Sequence, residues 1–394
     1  MSTEKEEFIA PLSEGLINED SLAKFRERIG MKLRINNIFN QNVTEEALRN
    51  YAAGIGDPNP LWTDKEYAAN TPYGTLVAQP NWLYSVFPTW VLQGLPGIHA
   101  YHSGNDWEFY KPILLHDRIT PECEFTGFDI KESKFAGKFV MEYQRSTFYN
   151  QRGELVAKTD LWLVRAERSA SRKTQKYGKL QLPHPWTEEE LLKVEHDCLA
   201  EEVRGNNPRY WEDVQEGEEL KPVVKGPIGI TDIVAYCMGA NPVGLMAHHL
   251  SLRQYRKHPA WAFRDPFTCA MEPVYAVHYN KAVANALGLP FPYDVGAQRQ
   301  SWGIQLISNW MGDEGWMKKH YAEYRKFVYL SDAIYLKGKV TGKYIDENGE
   351  HCVDIDTWAE NQRGETDVMP GHCTVILPSR EKGTGPLDSR LPKR

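Results

Sequence analysis

The side chains best suited to proton transfer lie in two segments that are far apart in the sequence. Asp57 lies in the Gly-Asp-Pro-Asn-Pro stretch at 56–60, and His278 follows a short apolar run. Histidine exchanges protons near neutral pH, so His278 is either an acid–base residue or a buried structural one. Asp57 also has two interpretations, because Asp and Asn often hydrogen-bond their own backbone in such turns. Arg299 pairs either with a phosphate or carboxylate of a ligand or with an internal acid.

Motifs that would indicate other chemistries are missing from the sequence. The adjacent His248 and His249 lack the i, i+4 spacing of a helical zinc site, and neither His-Glu-x-x-His nor Cys-x-x-Cys occurs. The sequence also has no dinucleotide-binding glycine motif, no Walker loop and no serine-hydrolase elbow. We therefore expect no metal and no cofactor, apart from any that the substrate itself carries.

An internal repeat indicates the elements that must position these residues. Asn-Gln-Arg-Gly-Glu occurs at 150–154 and again at 361–365, within alternating apolar patterns that predict a hairpin or a strand–bulge–strand unit. Further landmarks recur in the same order in both halves: Asp117 with Asp332, Thr126-Gly127 with Thr341-Gly342, Trp82 with Trp302 and Trp90 with Trp310. The chain is therefore predicted to be a tandem duplication.

Each half has the same predicted order of elements. An initial strand leads into a short helix, an Asn-Pro loop, a long apolar helix and several strands. The short helices begin at Thr44 and near Thr231, where Thr is a typical N-cap. The long helix of the first half is predicted at Trp82–Trp90, where the apolar residues share one face. One helix followed by strands indicates an α+β fold in which an antiparallel sheet wraps each central helix.

The repeat also sets the predicted boundaries. We expect an N-terminal module at residues 1–166, a linker at 167–212, a C-terminal module at 213–380 and a tail at 381–394. The linker is predicted to contain a helix at Thr187–Ala200, opened by a capping box between Thr187 and Glu190. The polar tail from Ser379 onward is expected to be loosely ordered.

The loop around Asp57 resembles the MaoC-like acyl dehydratases, also described as hydratase 2-type or FAS1-like. Their hot-dog fold carries a Gly-Asp-x-Asn-Pro-(Leu/Ile)-His-x-Asp pattern, and the matching residues are Gly56, Asp57, Asn59, Pro60, Leu61 and Asp64. Weaker similarity includes Tyr73-Gly74, Val77–Pro80, His102–Pro112 and Asp117. Because it extends over nearly the whole chain, the resemblance implies a tandem, or double, hot-dog fold.

The resemblance implies roles for residues of the first half. Asp57 is expected to be an acid–base carboxylate and Asn59 to hold the loop or a water. A backbone N–H near Gly74, or at the start of the Trp82 helix, is expected to bind the thioester oxygen. Trp62 occupies the position of the family's histidine, so this half lacks one member of the catalytic pair.

The second half resembles the family in the other member of the pair. Val277–Asn280 resembles the family's histidine segment and places His278 at the catalytic position, whereas Ala240 stands where the loop aspartate would be. Gly296, before the second long helix, is the expected oxyanion donor, and Arg299 lies one turn further. An insertion before His278 offers other side chains that could complete a site: His248, His249, Arg253 and Glu272.

These features predict a hydro-lyase that adds or removes water across the 2,3 bond of an enoyl- or 3-hydroxyacyl-CoA, as in fatty-acid or side-chain degradation. Two alternatives stay open: a hot-dog acyl-CoA thioesterase, and a non-catalytic acyl-CoA-binding subunit that the incomplete pairs would suit. Trp62, Trp82 and Tyr84 fit either an apolar acyl slot or simple core packing.

The composition of the chain limits the classes of partner that it is expected to bind. A net charge of −7 and a pI near 6.0 argue against nucleic acid, which requires a basic face. The charged first residues have no apolar signal core, and no run approaches the roughly 18 apolar residues of a membrane span. The six cysteines form no recognisable framework. We expect a cytoplasmic protein with reduced thiols whose partner is its acyl-CoA substrate, with a homodimer as an open alternative.

Overall fold

The computed structural model describes residues 13–35, 38–87, 94–133, 137–168, 180–383 and 385–392. The helices in these ranges are α1 (Glu19–Arg26), α2 (Glu45–Ile55), α3 (Lys65–Ala69), α4 (Leu83–Val86), α5 (Glu188–Leu199), α6 (Ile230–Ala240), α7 (His248–Lys257), α8 (Lys281–Ala286) and α9 (Gly296–Met311). The strands are β1 (Ile98–Phe109), β2 (Thr120–Ser133), β3 (Gly137–Tyr149), β4 (Leu155–Glu167), β5 (Val223–Lys225), β6 (Ala262–Arg264), β7 (Met271–Pro273), β8 (Trp316–Glu323), β9 (Ile334–Ile345), β10 (His351–Asn361) and β11 (Gly371–Ile376).

One antiparallel sheet joins the two halves of the chain. Its strand order is β2-β3-β4-β1-β8-β11-β10-β9-β5, and the two halves meet where β1 pairs with β8. Outward from that seam, β1-β4-β3-β2 of the first half mirrors β8-β11-β10-β9 of the second half, which adds β5 as a fifth strand at its edge. At that seam Trp107 lies opposite His320 and Gly104 lies opposite Glu323. The strands β6 and β7 form a separate hairpin within the insertion of the second half. The predicted α+β class with an antiparallel sheet is confirmed.

The five-residue repeat connects β3 to β4 and β10 to β11, and it ties each hairpin to a buried aspartate. Gln151 Nε2 donates to Asp117 Oδ1 at 2.7 Å, and Gln362 Nε2 donates to Asp332 Oδ1 at 2.8 Å. The arginine of each copy forms an ion pair with the same aspartate. A buried carboxylate is costly without such donors, which explains why the motif occurs in both halves. The predicted hairpins and the equivalence of the two aspartates are confirmed.

The short helices α2 and α6 cross in close contact. A Cβ on Gly54 would lie 2.8 Å from the carbonyl oxygen of Ala235, and one on Gly239 would lie 2.4 Å from that of Asn50. Any larger side chain at either glycine would push the helices apart. The crossing therefore fixes where the loops after α2 and α6 emerge, and the first of these loops carries Asp57.

The N-cap of α2 agrees with the sequence prediction, whereas that of α6 lies two residues before the predicted position. Thr44 is the N-cap of α2, as predicted, and its side chain accepts a hydrogen bond from Ala47 N. The helix α6 is capped by Gly229, ahead of the predicted Thr231, because Asp232 accepts from the Gly229 N–H at 2.7 Å. Thr187 and Glu190 form the predicted capping box of α5 in the linker.

The two central helices differ in length. The helix α9 has 16 residues and is buried from Ala297 to Met311. In the first half a 3₁₀ turn at Pro80–Trp82 leads into the four-residue α4, and Phe87 then adopts an extended conformation with φ −144° and ψ 101°. The helix predicted at Trp82–Trp90 is therefore present at Leu83–Val86 but does not continue at Phe87, and Trp90 lies outside the described residues.

The predicted pairing of Trp82 with Trp302 is wrong. Ala78 N and Asp294 N make equivalent backbone hydrogen bonds just before the start of the two central helices. Counted from there, Trp82 lies in the first turn, whereas Trp302 lies in the second turn of α9. Tryptophan recurs for core packing in both halves, but at positions one helical turn apart.

The end of the chain packs onto the second half. Leu387 is 3% exposed, and Arg390 forms an ion pair with Glu350. The expectation of a loosely ordered tail is therefore wrong for residues 385–392. No helix in the described part of the chain combines the length and apolar character that crossing a bilayer requires.

Candidate active site

The Asp57 loop is closed by its own hydrogen bonds. Gly56 ends α2 in the left-handed region at φ 66°, which lets the chain turn sharply. Asp57 Oδ1 then accepts from Asn59 N at 3.0 Å, and Oδ2 accepts from the indole Nε1 of Trp62 at 2.9 Å. Trp62 thus keeps a donor on the carboxylate where the family has histidine, but an indole N–H cannot exchange a proton as imidazole does.

Side chains of the linker and of the second half cover this loop. Lys225 Nζ and Gln305 Nε2 both donate to the carbonyl oxygen of Gly56, at 2.8 Å and 3.2 Å. Burial raises the pKa of Asp57 to about 6, against the attraction of Lys225 and with a smaller contribution from Glu201. Asp57 therefore lies under a polar cover that holds its carboxyl in a poorly solvated position.

This environment predicts a pH-dependent contribution of Asp57 to stability. A carboxyl whose pKa is raised from 3.8 to about 6 costs the folded state nothing below pH 4, and its full cost develops as the pH rises through 6. The free energy of unfolding of the wild type minus that of Asp57→Asn should fall by about 2 kcal/mol between pH 4 and pH 7. Urea denaturation of both proteins at the two pH values measures the change, and a difference that does not vary with pH would contradict it.

The other predicted groups of the first half are already engaged. Asn59 is 2% exposed, and its Oδ1 accepts from Leu61 N, so it caps the turn that follows. The backbone N–H of Gly74 donates to Thr71, and that of Trp82 donates to Gln79. Both N–H groups that were expected to bind the thioester oxygen are therefore already hydrogen-bonded within the chain, so the structure does not support either of them as the oxyanion donor.

The predicted aromatic slot of the first half is core. Trp82 is fully buried, and Tyr84 OH donates to Gln300 Oε1 at 2.6 Å, in a polar network that links the two halves. Trp62 lines a cavity of only about 50 Å³. That space is too small for an acyl chain, so core packing is the alternative that the structure supports for all three aromatic residues.

His278 stands where Trp62 stands in the first half. It ends the 3₁₀ turn Val274–His278, two residues before the N-cap Asn280, just as Trp62 ends a 3₁₀ turn two residues before the N-cap Asp64. The shared cap explains why the segments resemble each other in sequence. The site position is therefore held by a proton-exchanging side chain in the second half alone.

Tyr293 fixes the ring of His278. The Nδ1 atom of His278 lies 2.9 Å from the carbonyl oxygen of Tyr293, which can only accept, so Nδ1 carries the proton. Burial lowers the pKa of His278 to about 4, so the ring is neutral at pH 7. The remaining nitrogen, Nε2, then carries a free electron pair and is the atom left for chemistry.

His278 lines a cavity of about 590 Å³. The start of β1, the end of β4 and the insertion with α7 form its other walls, and the titratable side chains lining it include His99, Arg165, Arg168, Tyr255, Lys257 and His258. Asp57 does not belong to this lining. The two acid–base residues predicted from the sequence, one in each half, therefore do not line the same cavity.

The second half has no carboxylate at the position equivalent to Asp57. Asn241 ends α6 in the left-handed region at φ 42°, as Gly56 ends α2, so Pro242 rather than Ala240 corresponds to Asp57. This corrects the sequence alignment. Of the four side chains expected to complete the site, none lines the cavity: His248, His249, Arg253 and Glu272.

Arg299 forms an internal ion pair. Its Nε donates to Asp294 Oδ2 at 2.7 Å, its Nη2 bonds Asp294 Oδ1, and its Nη1 donates to the carbonyl oxygen of Lys326. Arg299 is 3% exposed. The structure shows the ion-pair alternative, and the contact with a substrate phosphate or carboxylate stays a prediction.

Gly296 opens α9 but does not lie in the lining of the large cavity. A Cβ at this position would meet the ring of Tyr324 at 2.8 Å and His102 Nδ1 at 3.1 Å, so only glycine fits beneath β1 here. It lies three residues after Tyr293, whose carbonyl holds His278. The start of α9 is thus three residues from the carbonyl group that holds His278.

Sequence reasoning missed His99 and Arg168. His99 lies on β1 and Arg168 directly follows β4, whereas His278 comes from the second half, and only the pairing of the two halves brings them to one cavity. For His99 the sole signal in the sequence was the alternation of inward and outward positions along the strand, and Arg168 carried none. In the described ranges, no three His, Cys, Asp or Glu side chains form a group that could hold a metal ion.

Solved structures share this architecture. A MaoC-like dehydratase superposes with a TM-score of 0.61 over 89% of this chain and 99% of that chain, at 17% sequence identity. A Mycobacterium tuberculosis protein described as a double hot-dog fold superposes with a TM-score of 0.52 over 89% of this chain and 96% of that chain, at 10% identity. The chain is therefore an α+β double hot-dog protein, as predicted.

Sequence comparisons give the family. Residues 28–159 match the family described as FAS1-like, dehydratase domain region. The (R)-specific enoyl-CoA hydratase of Aeromonas caviae is 31% identical over 106 residues, which are 27% of this chain and 75% of that relative. The chain belongs to the MaoC-like family of hot-dog hydratases and dehydratases. The matched region 28–159 contains Asp57 and Trp62, and thus lies in the half whose catalytic pair is incomplete.

Proposed function

We propose that this protein hydrates 2-enoyl thioesters, or dehydrates the corresponding 3-hydroxyacyl thioesters, with His278 as its acid–base residue. The observation that carries the proposal is the neutral imidazole of His278, oriented by Tyr293 on the wall of a cavity of about 590 Å³. Cavities of roughly 300–1,000 Å³ suit small organic ligands. The family and the Aeromonas relative, itself named an enoyl-CoA hydratase, support the reaction class.

The chemistry assigns both proton transfers to one side chain. Nε2 of His278 takes a proton from water as the water oxygen bonds to Cβ of the enoyl group, and the double-bond electrons move through Cα to the thioester oxygen. The imidazolium, whose Nδ1–H keeps donating to the Tyr293 carbonyl oxygen, then returns the Nε2 proton to Cα. Water is thus added as OH on Cβ and H on Cα, and dehydration reverses the steps.

The negative charge on the thioester oxygen requires a hydrogen-bond donor. We assign this role to the N-terminus of α9 at Gly296, where unpaired N–H groups and the helix dipole favour an anion. This assignment requires the thioester to reach from the cavity to the start of α9. The three-residue separation of Gly296 from Tyr293 supports it.

A non-catalytic acyl-thioester-binding subunit is the second candidate. Trp62 in place of histidine favours it, as does a cavity in which the only acidic lining residue of the described ranges is the exposed Glu14. The same scarcity of carboxylates weighs against a thioesterase that would activate water with one. In this second candidate the cavity would bind the acyl group without turning it over.

A panel of 2-enoyl-CoA thioesters of different chain lengths tests the proposal. Hydration removes the absorbance of the conjugated double bond without releasing a free thiol, and 3-hydroxyacyl-CoAs should regenerate that absorbance. Thiol release in a coupled assay would instead identify a thioesterase. Thermal stabilisation by acyl-CoA with no change in absorbance in either direction would identify the binding subunit and overturn the proposal.

A further inference from the structure

The wall of the large cavity contains an arginine that has no counter-charge among the residues that the structure describes. Arg168 is 4% exposed, and its Nη1 and Nη2 donate only to the backbone carbonyl oxygens of Ser13, at 2.6 Å, and Ala260, at 3.1 Å. Its Nε has no hydrogen-bond partner. No carboxylate of the described residues pairs with this guanidinium, and residues 169–179 contain no acid.

The neighbouring Arg165 shows how the same chain treats a buried guanidinium that has only a structural role. Arg165 is 2% exposed and forms an ion pair with the fully buried Glu142, which neutralises it. Arg168 lines the same cavity but has no such acid. Arg165 and Arg168 are three residues apart and similarly buried. Burial alone therefore does not explain why only Arg165 has an acidic partner among the described residues.

An unpaired buried cation is expensive to keep. Burial is the main factor that lowers the pKa of Arg168, to about 10, and the nearby charge of Arg165 lowers it further. Taking a charge out of water is strongly unfavourable unless an opposite charge compensates for it. A cavity wall is a place where a ligand can supply that opposite charge.

His99 lies on β1 beside this arginine. It is 4% exposed, lines the cavity, and neither of its ring nitrogens has a hydrogen-bond partner. The charges of Arg168 and His278 both act on its ring, so His99 lies within electrostatic reach of the two. A buried imidazole without partners is as unusual as an unpaired guanidinium, and here both face one space.

The other residues that line the cavity indicate the chemical character of the rest of the ligand. Much of the lining is apolar, including Leu245, Met246, Trp261 and Val277. The only acid that lines it within the described ranges is the exposed Glu14. The complementary ligand therefore has an apolar body and an anionic group that reaches Arg168 and His99.

We propose that the cavity selects acyl groups that carry a carboxylate at the end distant from the thioester, which are half-thioesters of dicarboxylic acids. Arg168 and His99 bind that carboxylate, while His278 acts at the enoyl end. This assignment rests on the proposed hydration reaction, since it names the substrate class of the same site. A phosphate of the CoA carrier has similar anionic oxygens, so the experiment must separate these two sources.

Substrates that differ only in the terminal group and in the thioester carrier separate a terminal carboxylate from a carrier phosphate. A 2-enoyl thioester with a terminal carboxylate is compared with the same chain ending in a methyl ester, each on CoA and on N-acetylcysteamine, which has no phosphate. We expect kcat/KM to favour the carboxylate by on the order of 10- to 100-fold on both carriers, as for one charged hydrogen-bonded contact. Arg168→Gln should bring this ratio close to one, and Arg168→Lys should keep part of it.

The control variant is Arg145→Gln, which removes an exposed arginine of β3 that pairs with Asp160 of β4. It should leave the ratio of kcat/KM for the acid to kcat/KM for the ester unchanged. Thermal melts check that both Arg168 variants are folded. Equal kcat/KM for the acid and the ester would overturn the proposal while leaving hydration intact. A preference for CoA over N-acetylcysteamine that Arg168→Gln abolishes, without any preference for the acid, would assign the arginine to a carrier phosphate and overturn it as well.

Direct binding distinguishes the two proposals if no substrate is turned over. Calorimetry with glutarate and with inorganic phosphate is carried out on the wild type and on Arg168→Gln. Glutarate binding that the variant loses would preserve the carboxylate site although the hydratase function fails. Binding of phosphate alone, or of neither probe, would overturn the carboxylate site too.

Discussion

Replacing His278 with alanine is expected to lower kcat by on the order of 10²- to 10⁴-fold, the usual contribution of a general acid–base residue. In the proposed mechanism His278 Nε2 handles both protons, and the exposed Glu14 is the only carboxylate that lines the cavity in the described ranges. KM should change much less than kcat, because the loss falls on the transition state. Steady-state kinetics on the best enoyl-CoA of the panel measures both constants.

The pH profile gives an independent check of this role. Because burial lowers the pKa of His278 to about 4, the ring is a neutral base at pH 6 to 8 and the rate should be nearly constant there. The rate should fall only as the pH approaches 4, where protonation removes the electron pair. His196→Ala, a change at an exposed histidine of α5, is the control and should leave both the rate and its pH dependence unchanged. A loss of less than about tenfold in His278→Ala would place the chemistry elsewhere.

Sequence reasoning was most successful where local structure and short motifs decide the outcome. Thr44 and Thr187 cap their helices as expected, because an N-cap depends on only a few neighbouring residues. The Asn-Gln-Arg-Gly-Glu repeat indicated the duplicated hairpins correctly. Its reason became visible only in the structure, where the glutamine and arginine of each copy bind Asp117 or Asp332.

The sequence did not predict the features that depend on contacts between the two halves of the chain. Asp57 keeps the family's loop, but its closure depends on Lys225 and Gln305, which come from distant parts of the chain. Arg168 and His99 carry no motif, and nothing in their local sequence indicates that they share a cavity with His278. A duplicated chain can retain a motif for packing after its chemistry is lost, so the motif alone does not locate the site.

The ion pair between Arg299 and Asp294 should be among the most important single contacts for stability. Arg299→Met is expected to lower the free energy of unfolding by about 3–5 kcal/mol, because it leaves the carboxylate of Asp294 buried without its partner. Urea denaturation at pH 7 measures the loss. Arg145→Met, which breaks the exposed pair with Asp160, is the matched control and should cost less than about 1 kcal/mol. Replacing Asp294 and Arg299 together with Asn and Met should cost less than Arg299→Met alone, since no unpaired charge then stays buried.

The same variant separates a positioning role from a ligand contact. Asp294 follows Tyr293, whose carbonyl orients His278, so loosening the pair should lower kcat through His278 on any carrier. If Arg299 instead bound a phosphate of CoA, Arg299→Met would raise KM for CoA thioesters and leave KM for N-acetylcysteamine thioesters unchanged. Because all three donor groups of the guanidinium are satisfied by Asp294 and Lys326, we expect equal effects on the two carriers. A KM effect confined to CoA would show that the pair opens to bind the substrate.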